Sequence, residues 1–311
     1  MTVDVLIHVF AKPFQTALSL LSLLRHSGEH IDKIYFHEEL YTSDYERKNH
    51  GALLKYLQAR IIYHPAQEWI GSGCLPDLER ALTDEKYRHS IRYQYGWEQT
   101  QKKYALLIHN DIVVTADMLP DMLENIGEAT AIGEIGQCWW CPAGQNGLCS
   151  SERYTDYRPG YDELMRIYNE GMDYTRRRAY NQGLNEELRK APWPLPECRV
   201  NEWCMLVDIE KARPATLPLG PAAPVGAQMP SGALIGENWD EDVFLDTGVK
   251  WFHDLNLLGH GFRDFPVENY IIHDRRGRRA LSDAEIYVKN EILAKIRLEK
   301  EYPDFYRLMR A

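Results

Sequence analysis

The stretch Tyr104-Ala-Leu-Leu-Ile-His-Asn-Asp-Ile-Val-Val-Thr constrains the fold more than any other part of the chain. An apolar run stops abruptly at the polar triplet His109-Asn110-Asp111, and a second apolar run begins at once. Such a run reads as a buried strand. A buried strand of an open α/β sheet delivers its last residues to the carboxyl edge, where these sheets place their ligands. A carboxylate held there suits a divalent cation and the phosphates it bridges. The triplet points to an enzyme that handles a nucleotide diphosphate.

The flanking pattern agrees with a strand-helix alternation. Val3 to Val9 reads as a buried strand, and Pro13 opens a helix whose apolar face carries Phe14, Ala17, Leu18, Leu21 and Leu24, with Gly28 just past its end. Ile34-Tyr-Phe36 is a second strand ending at His37-Glu38-Glu39, residues 51–58 are helical, and Ile61-Ile-Tyr63 is a third strand. Residues 88–103 read as a helix leading into the strand that ends at His109. This order argues for a parallel α/β sheet. Beyond residue 120, a strand is expected within Ala131–Trp140, a long loop over 141–160, a helix over 161–178, and a strand over Trp203–Val207. Residues 214–236 are rich in Pro, Gly and Ala, and read as a functional or mobile loop. Ser282-Asp-Ala-Glu285 has the form of a capping box and starts a helix to about residue 300.

The chain of 311 residues suffices for one large domain or two small ones. Its formal charge of −10 argues against general affinity for nucleic acid, so any phosphate site must be locally basic. No apolar run reaches the length of a membrane span, and Met1-Thr-Val-Asp-Val-Leu-Ile reads as a first strand; the expectation is a soluble, cytoplasmic protein. Six cysteines in so long a chain do not make a disulfide scaffold. Cys138-Trp-Trp-Cys141, with Cys149 and Cys198, has the ligand count for a structural zinc, but the last two form no second close pair. Free buried thiols are the alternative.

Several segments together resemble family 2 glycosyltransferases. Val5 to Leu24 resembles their first strand and helix, and Ile91 to Asp111 resembles their ARN-x-G helix followed by the DXD strand. Trp203 to Ala212 is similar to the strand after the acceptor loop, and Val249 to Gly259 to the late helix. Phe262-Arg-Asp-Phe-Pro266 and Ile271-Ile-His273 are similar to the strand and late histidine that follow. The resemblance spans residues 3–275.

The resemblance implies an α/β GT-A-like (Rossmann-like) mixed sheet flanked by helices, with a C-terminal helical extension. Residues 1–120 would form the nucleotide-sugar-binding half, 121–280 the acceptor-binding half of the same domain, and 281–311 the extension. It implies transfer of a sugar from a nucleotide-diphosphate donor to a hydroxyl acceptor, with Mn2+ or Mg2+ as cofactor. Asp111 would be the metal ligand, although a strand-end aspartate can simply cap the next turn. His109 stands where the family has its first aspartate and would contact ribose or phosphate. His273 would complete the metal shell; alone it reads as a structural histidine. Phe10 would stack on the donor base and Glu38 accept hydrogen bonds from base or ribose, against readings as core and solvated acid. Arg92, and a lid of Arg275, Arg276, Arg278 and Arg279, would meet the diphosphate.

A base must take the proton of the acceptor hydroxyl. A gapless reading puts Thr247-Gly248 where the family has its catalytic carboxylate. Asp246, one residue earlier, is the candidate, with an N-terminal helix cap as the other reading. Trp139, Trp140, Tyr154, Tyr157, Tyr161 and Trp239 supply aromatic faces for a carbohydrate, lipid-linked or small-molecule acceptor, or for plain packing. The C-terminal helix, with Lys295, Arg297, Lys300 and Arg307, would dock on the domain, pair two subunits as a homodimer, or make peripheral membrane contact. Two rivals remain: a nucleotidyltransferase, disfavoured because Phe10-Ala-Lys-Pro13 lacks a glycine, and a non-catalytic sugar-binding protein that has lost the base.

Overall fold

The computed structural model describes residues 1–40, 43–70, 75–138, 141–171, 189, 191–230, 237–239, 242–273 and 284–310. Expectations for Trp139, Trp140, the arginines after His273, Ser282 and residues 172–178 fall outside them, as does the side chain of Trp239.

The described residues form twelve strands: β1 (Val3–Val9), β2 (Ile31–Glu38), β3 (Ile61–Pro65), β4 (Tyr104–Ile108), β5 (Ile112–Val114), β6 (Ala131–Ile135), β7 (Val200–Asp208), β8 (Met229–Pro230), β9 (Glu237–Trp239), β10 (Asp242–Leu245), β11 (Phe262–Asp264) and β12 (Ile271–His273). Seven of them make one sheet in the order β11-β6-β7-β4-β1-β2-β3. β1 pairs in parallel with β2 and β4, and β2 with β3. β7 runs antiparallel to both β4 and β6. The sheet is therefore mixed and flanked by helices. The purely parallel pairing that the alternation alone suggests fails at β7, which is antiparallel to both of its neighbours.

The two faces of the sheet follow from the period of two along each strand. Val3, Val5, Ile7 and Val9 point to the face covered by the helix Pro13–Ser27, whereas Leu6, Tyr35 and Leu107 point to the face packed by Trp97, Trp251 and Phe252. Both faces being covered explains why β1 and β4 are apolar throughout rather than alternating. The helix Pro13–Ser27 is buried almost all round, beyond the single stripe its apolar spacing shows, because Glu291 and its neighbours cover its other side.

That covering is the C-terminal extension. Helix Ala284–Glu301 lies along Pro13–Ser27, and Leu298 and Phe305 are fully buried. The first helix has no side-chain cap of its own; the Glu291 carboxylate accepts from the backbone N–H groups of Phe14 (3.0 Å) and Gln15 (3.1 Å). A residue 277 positions away thus satisfies donors that a local cap would normally take.

The expected helix over 88–103 is broken. Asp84 caps a short turn, Glu85–Arg88, by accepting from Tyr87 N–H, and Tyr93 sits at φ 64 before a second short helix, Gln94–Gln99. Gly96 lies so close to the sheet that a Cβ would stand 2.6 Å from Leu6 and 2.7 Å from Tyr35. Over residues 214–230 the small residues serve close packing. Ala222, Ala223, Val225 and Ala227 are buried, and a Cβ on Gly226 would stand 2.0 Å from the Arg92 carbonyl oxygen.

Candidate active site

β1 and β4 end side by side, and the residues just beyond them converge. Ala11 and Lys12 both adopt left-handed backbone conformations (φ 55 and 53), an arrangement non-glycine residues adopt at a cost of about 1–3 kcal/mol each. Asn110 secures this turn by donating to Thr16 Oγ1 at 3.1 Å, and its Nδ2 also approaches the Phe10 and Ala11 carbonyls. The turn aims Lys12 inward, and its Nζ lies 2.6 Å from Asp111 Oδ2. Both side chains are only 7% exposed.

His273 reaches the same point from the far end of the chain. β12 pairs antiparallel with β5 in a two-stranded sheet whose register sets His273 opposite Ile112, next to Asp111. His273 Nε2 lies 3.5 Å from Asp111 Oδ1, and His109 Nδ1 lies 3.8 Å from the same oxygen. Ligand atoms of the three residues all fall within 4.8 Å of one another, the one such cluster among the described residues. The His273 ring stacks on Trp203, with centroids 4.8 Å apart.

A divalent cation fits this donor set. Asp111 Oδ1 is buried without a hydrogen-bond partner, while Lys12 occupies only Oδ2. His109 turns its other nitrogen, Nε2, to Glu202 Oε1 at 3.2 Å. A carboxylate behind a histidine is the support that metal-ligating imidazoles commonly have, since it fixes ring orientation and tautomer. Burial would raise the Asp111 pKa, but the Lys12 ammonium, then His273 and His109, hold it well below the ordinary carboxylate value. Burial likewise opposes ionisation of Glu202, yet Arg199 and His109 bring it down to about 2.

Arg199 carries the network onward. It lies 3.4 Å from Glu202 Oε2, and its Nη2 lies 2.9 Å from Asp246 Oδ2. It also donates to the Thr247 carbonyl. Asp246 further accepts from Gln137 Nε2 at 3.2 Å and from its neighbour's amide, Thr247 N–H, at 2.8 Å. Its carboxylate is not the helix cap: the helix Val249–Leu257 starts after Gly248, at φ 82, with no side-chain cap. The side chain keeps 26% exposure, so it is open to a second reactant. Asp246, Arg199, Glu202, His109 and Asp111 thus form one continuous line of polar side chains ending at Lys12.

The remaining candidates separate. Phe10 packs on Trp69 with centroids 5.1 Å apart, at the end of β1. Glu38 is 3% exposed, and its two oxygens are taken by His50 (2.7 Å) and Tyr63 (2.5 Å), so the solvated-acid reading fails and the carboxylate serves the β2–β3 edge. Arg92 lies in the turn before Gln94–Gln99, its side chain 12% exposed, and pairs with Glu39 at 2.8 Å. Tyr154 is core, stacked on Trp193. Lys12, Arg199 and Glu202 were not singled out from the sequence. The available signal was a charged side chain inside an otherwise apolar strand, Val200-Asn-Glu-Trp-Cys-Met-Leu-Val, and a lone lysine at a strand end.

No protein-family model matches the chain. No curated protein sequence matches it. Among solved structures, a mannosyltransferase from Pyrobaculum calidifontis in complex with GDP-Man and Mn2+ is similar over 99% of this chain and 72% of its own, at 8% identity and a TM-score of 0.46. The galactosyltransferase LgtC, with donor and acceptor sugar analogs, is similar over 68% and 59%, at 13% identity and a TM-score of 0.35. S. aureus TarS is similar over 44% and 36%, at 10% identity and a TM-score of 0.32. The chain thus spans little more than a third of the TarS structure and about three-fifths of LgtC. These overlaps are partial and distant, so the functional reading rests on the residues of this chain.

Proposed function

We propose that the chain is a metal-assisted glycosyltransferase that moves a sugar from a nucleotide-diphosphate donor to a hydroxyl acceptor. The observation that carries this reading is the meeting of His109, Asp111 and His273 at the carboxyl edge of the sheet, with Glu202 behind His109. Residues 1–120 supply the donor side, residues 121–280 the acceptor side, and 281–311 the extension that braces the first helix. The glycosyl assignment itself draws on the ordered segments from Val5 to His273 that resemble family 2 enzymes.

Asp111, His109 and His273 would hold Mn2+ or Mg2+, and the ion when bound would offset the charge of the departing diphosphate. Lys12 would add a second positive group beside it, buried and preorganised so that little rearrangement accompanies the charge it stabilises. Asp246 would accept the acceptor's proton. Arg199 and Gln137 orient its carboxylate, and Arg199 links that end of the site to Glu202.

A second reading has its own support. A carboxylate already engaged by Arg199, Gln137 and a backbone amide has fewer oxygen lone pairs free for an acceptor hydroxyl, which favours a sugar-binding protein without turnover. Donor hydrolysis or transfer with a panel of nucleotide sugars separates the two. The primary test is thermal-shift screening against nucleotide sugars with and without manganese. One donor should give a manganese-dependent shift, and Asp111→Ala should abolish it while the protein stays folded. An unchanged metal-dependent shift in that variant would remove Asp111 from the metal shell.

A further inference from the structure

Four of the six cysteines gather behind the charged site. Cys138, Cys141, Cys149 and Cys198 line one small cavity of about 10 Å³, between the loop after β6 and the segment entering β7. That volume is about what a single water-sized particle needs. All four are free thiols, and they come from three separate stretches of chain.

The backbone around them is wound for sulfur. Cys141 N–H donates to Gln137 O at 3.0 Å, closing the Cys-x-x-Cys turn. Gly136 adopts φ 79, and a Cβ there would stand 3.2 Å from Cys138 Sγ. A Cβ on Gly144 would stand 2.8 Å from the Cys138 carbonyl oxygen, so both glycines allow the loop to wrap closely. As free thiols, Cys138 Sγ lies 4.0 Å from the Ile135 carbonyl oxygen and Cys149 Sγ lies 3.6 Å from that of Ser150.

We propose that Cys138, Cys141, Cys149 and Cys198 form a tetrathiolate site for a structural zinc ion. Four thiolates match the closed tetrahedral shell of structural zinc, with bonds of about 2.3 Å. Among the described residues these sulfurs do not yet make a cluster within 4.8 Å. Binding therefore draws them inward, and the thiol protons pass to solvent as zinc takes the sulfur lone pairs. The ion has a place in the architecture of the candidate base. Cys138 follows Gln137, and Cys198 precedes Arg199, the two residues whose side chains hold the Asp246 carboxylate. Zinc would pin both from behind.

The test uses the full chain, with metal content measured by plasma mass spectrometry after gel filtration. One equivalent of zinc is expected in the wild type and in Asp111→Asn, which disables the other metal cluster, and none in the Cys141→Ser/Cys198→Ser double variant. Protein prepared with cobalt should show thiolate-to-cobalt charge-transfer absorption and intense visible bands. If the double variant does not fold, the cobalt spectrum and zinc release by a mercurial thiol reagent decide on the wild type alone. A zinc-free chain, a cobalt spectrum lacking thiolate bands, or a disulfide among the four cysteines would overturn the site. Stripping zinc should raise hydrogen exchange across residues 136–151; unchanged exchange there would overturn the pinning role.

Discussion

Single side chains decide whether this site performs chemistry. Asp246 is the sharpest case, because its partly exposed carboxylate is anchored rather than capping a helix. Asp246→Asn keeps the hydrogen bond from Gln137 and should leave donor-induced thermal shifts intact. It should lower turnover by at least about a hundredfold, the lower range for general base catalysis. Near-normal turnover would move the role elsewhere. His37 offers a test of a different kind. Its ring is 2% exposed, neither nitrogen has a hydrogen-bond partner, and burial, then His64, Arg92 and His89, push its pKa down to about 3. The unfolded chain takes up a proton near pH 6.5 that the folded chain refuses. The neutral ring therefore imposes no penalty above pH 6.5, and stability falls as pH drops from there towards 3. Each pH unit in that window should cost about 1.4 kcal/mol from this residue. Denaturant unfolding of His37→Phe beside the wild type should show a shallower acid slope; identical slopes would show that His37 titrates normally.

At the scale of elements, close approach matters more than propensity. Gly96 sits inside the short helix Gln94–Gln99, where alanine would ordinarily improve helix formation. Here the added methyl meets Leu6 and Tyr35 at under 3 Å, so Gly96→Ala should destabilise the fold by about 1–3 kcal/mol, the usual range for overpacking. A midpoint of chemical denaturation equal to or above that of the wild type would refute the tight helix-sheet contact. The same contact explains why residues 88–103 do not form the single helix their sequence suggests. The chain must turn at Tyr93 to lay Gly96 flat on β1 and β2, and in doing so it sets Arg92 beside Glu39.

On the scale of the molecule, the C-terminal extension and the edge that carries the candidate site are one structure. Tyr287 OH accepts from Lys12 N–H at 3.3 Å and bonds Glu46, while Glu291 caps the helix that Lys12 precedes. The extension therefore braces the left-handed turn that aims Lys12 at Asp111. Glu291→Ala should lower stability by about 1 kcal/mol, the usual loss for a helix N-cap. It should also weaken the metal-dependent donor shift, because the turn loses its support. Loss of stability with no change in donor binding would confine Glu291 to a structural role. Among the described residues no helix is long and apolar enough to cross a membrane, and the outer face of the extension carries exposed Val288, Ile292, Leu293 and Ile296.

The strands β1 and β4, the helix opened by Pro13 and the placement of Asp111 at a strand end were legible because they depend on local rules: apolar runs, a proline at a helix start, a polar stop. The pairing of His273 with Asp111 was legible only through resemblance. What no local rule could reveal is everything decided by contact between distant segments. The Lys12–Asp111 pair, Glu202 behind His109, Arg199 bridging to Asp246, and Glu291 capping a helix 277 residues away are each a charged group stabilised by a partner that only the folded chain brings near. The engagement of Glu38 by His50 and Tyr63 has the same origin. Local sequence sets backbone preference and burial pattern, whereas the choice of partner for a buried charge is a property of the three-dimensional field around it.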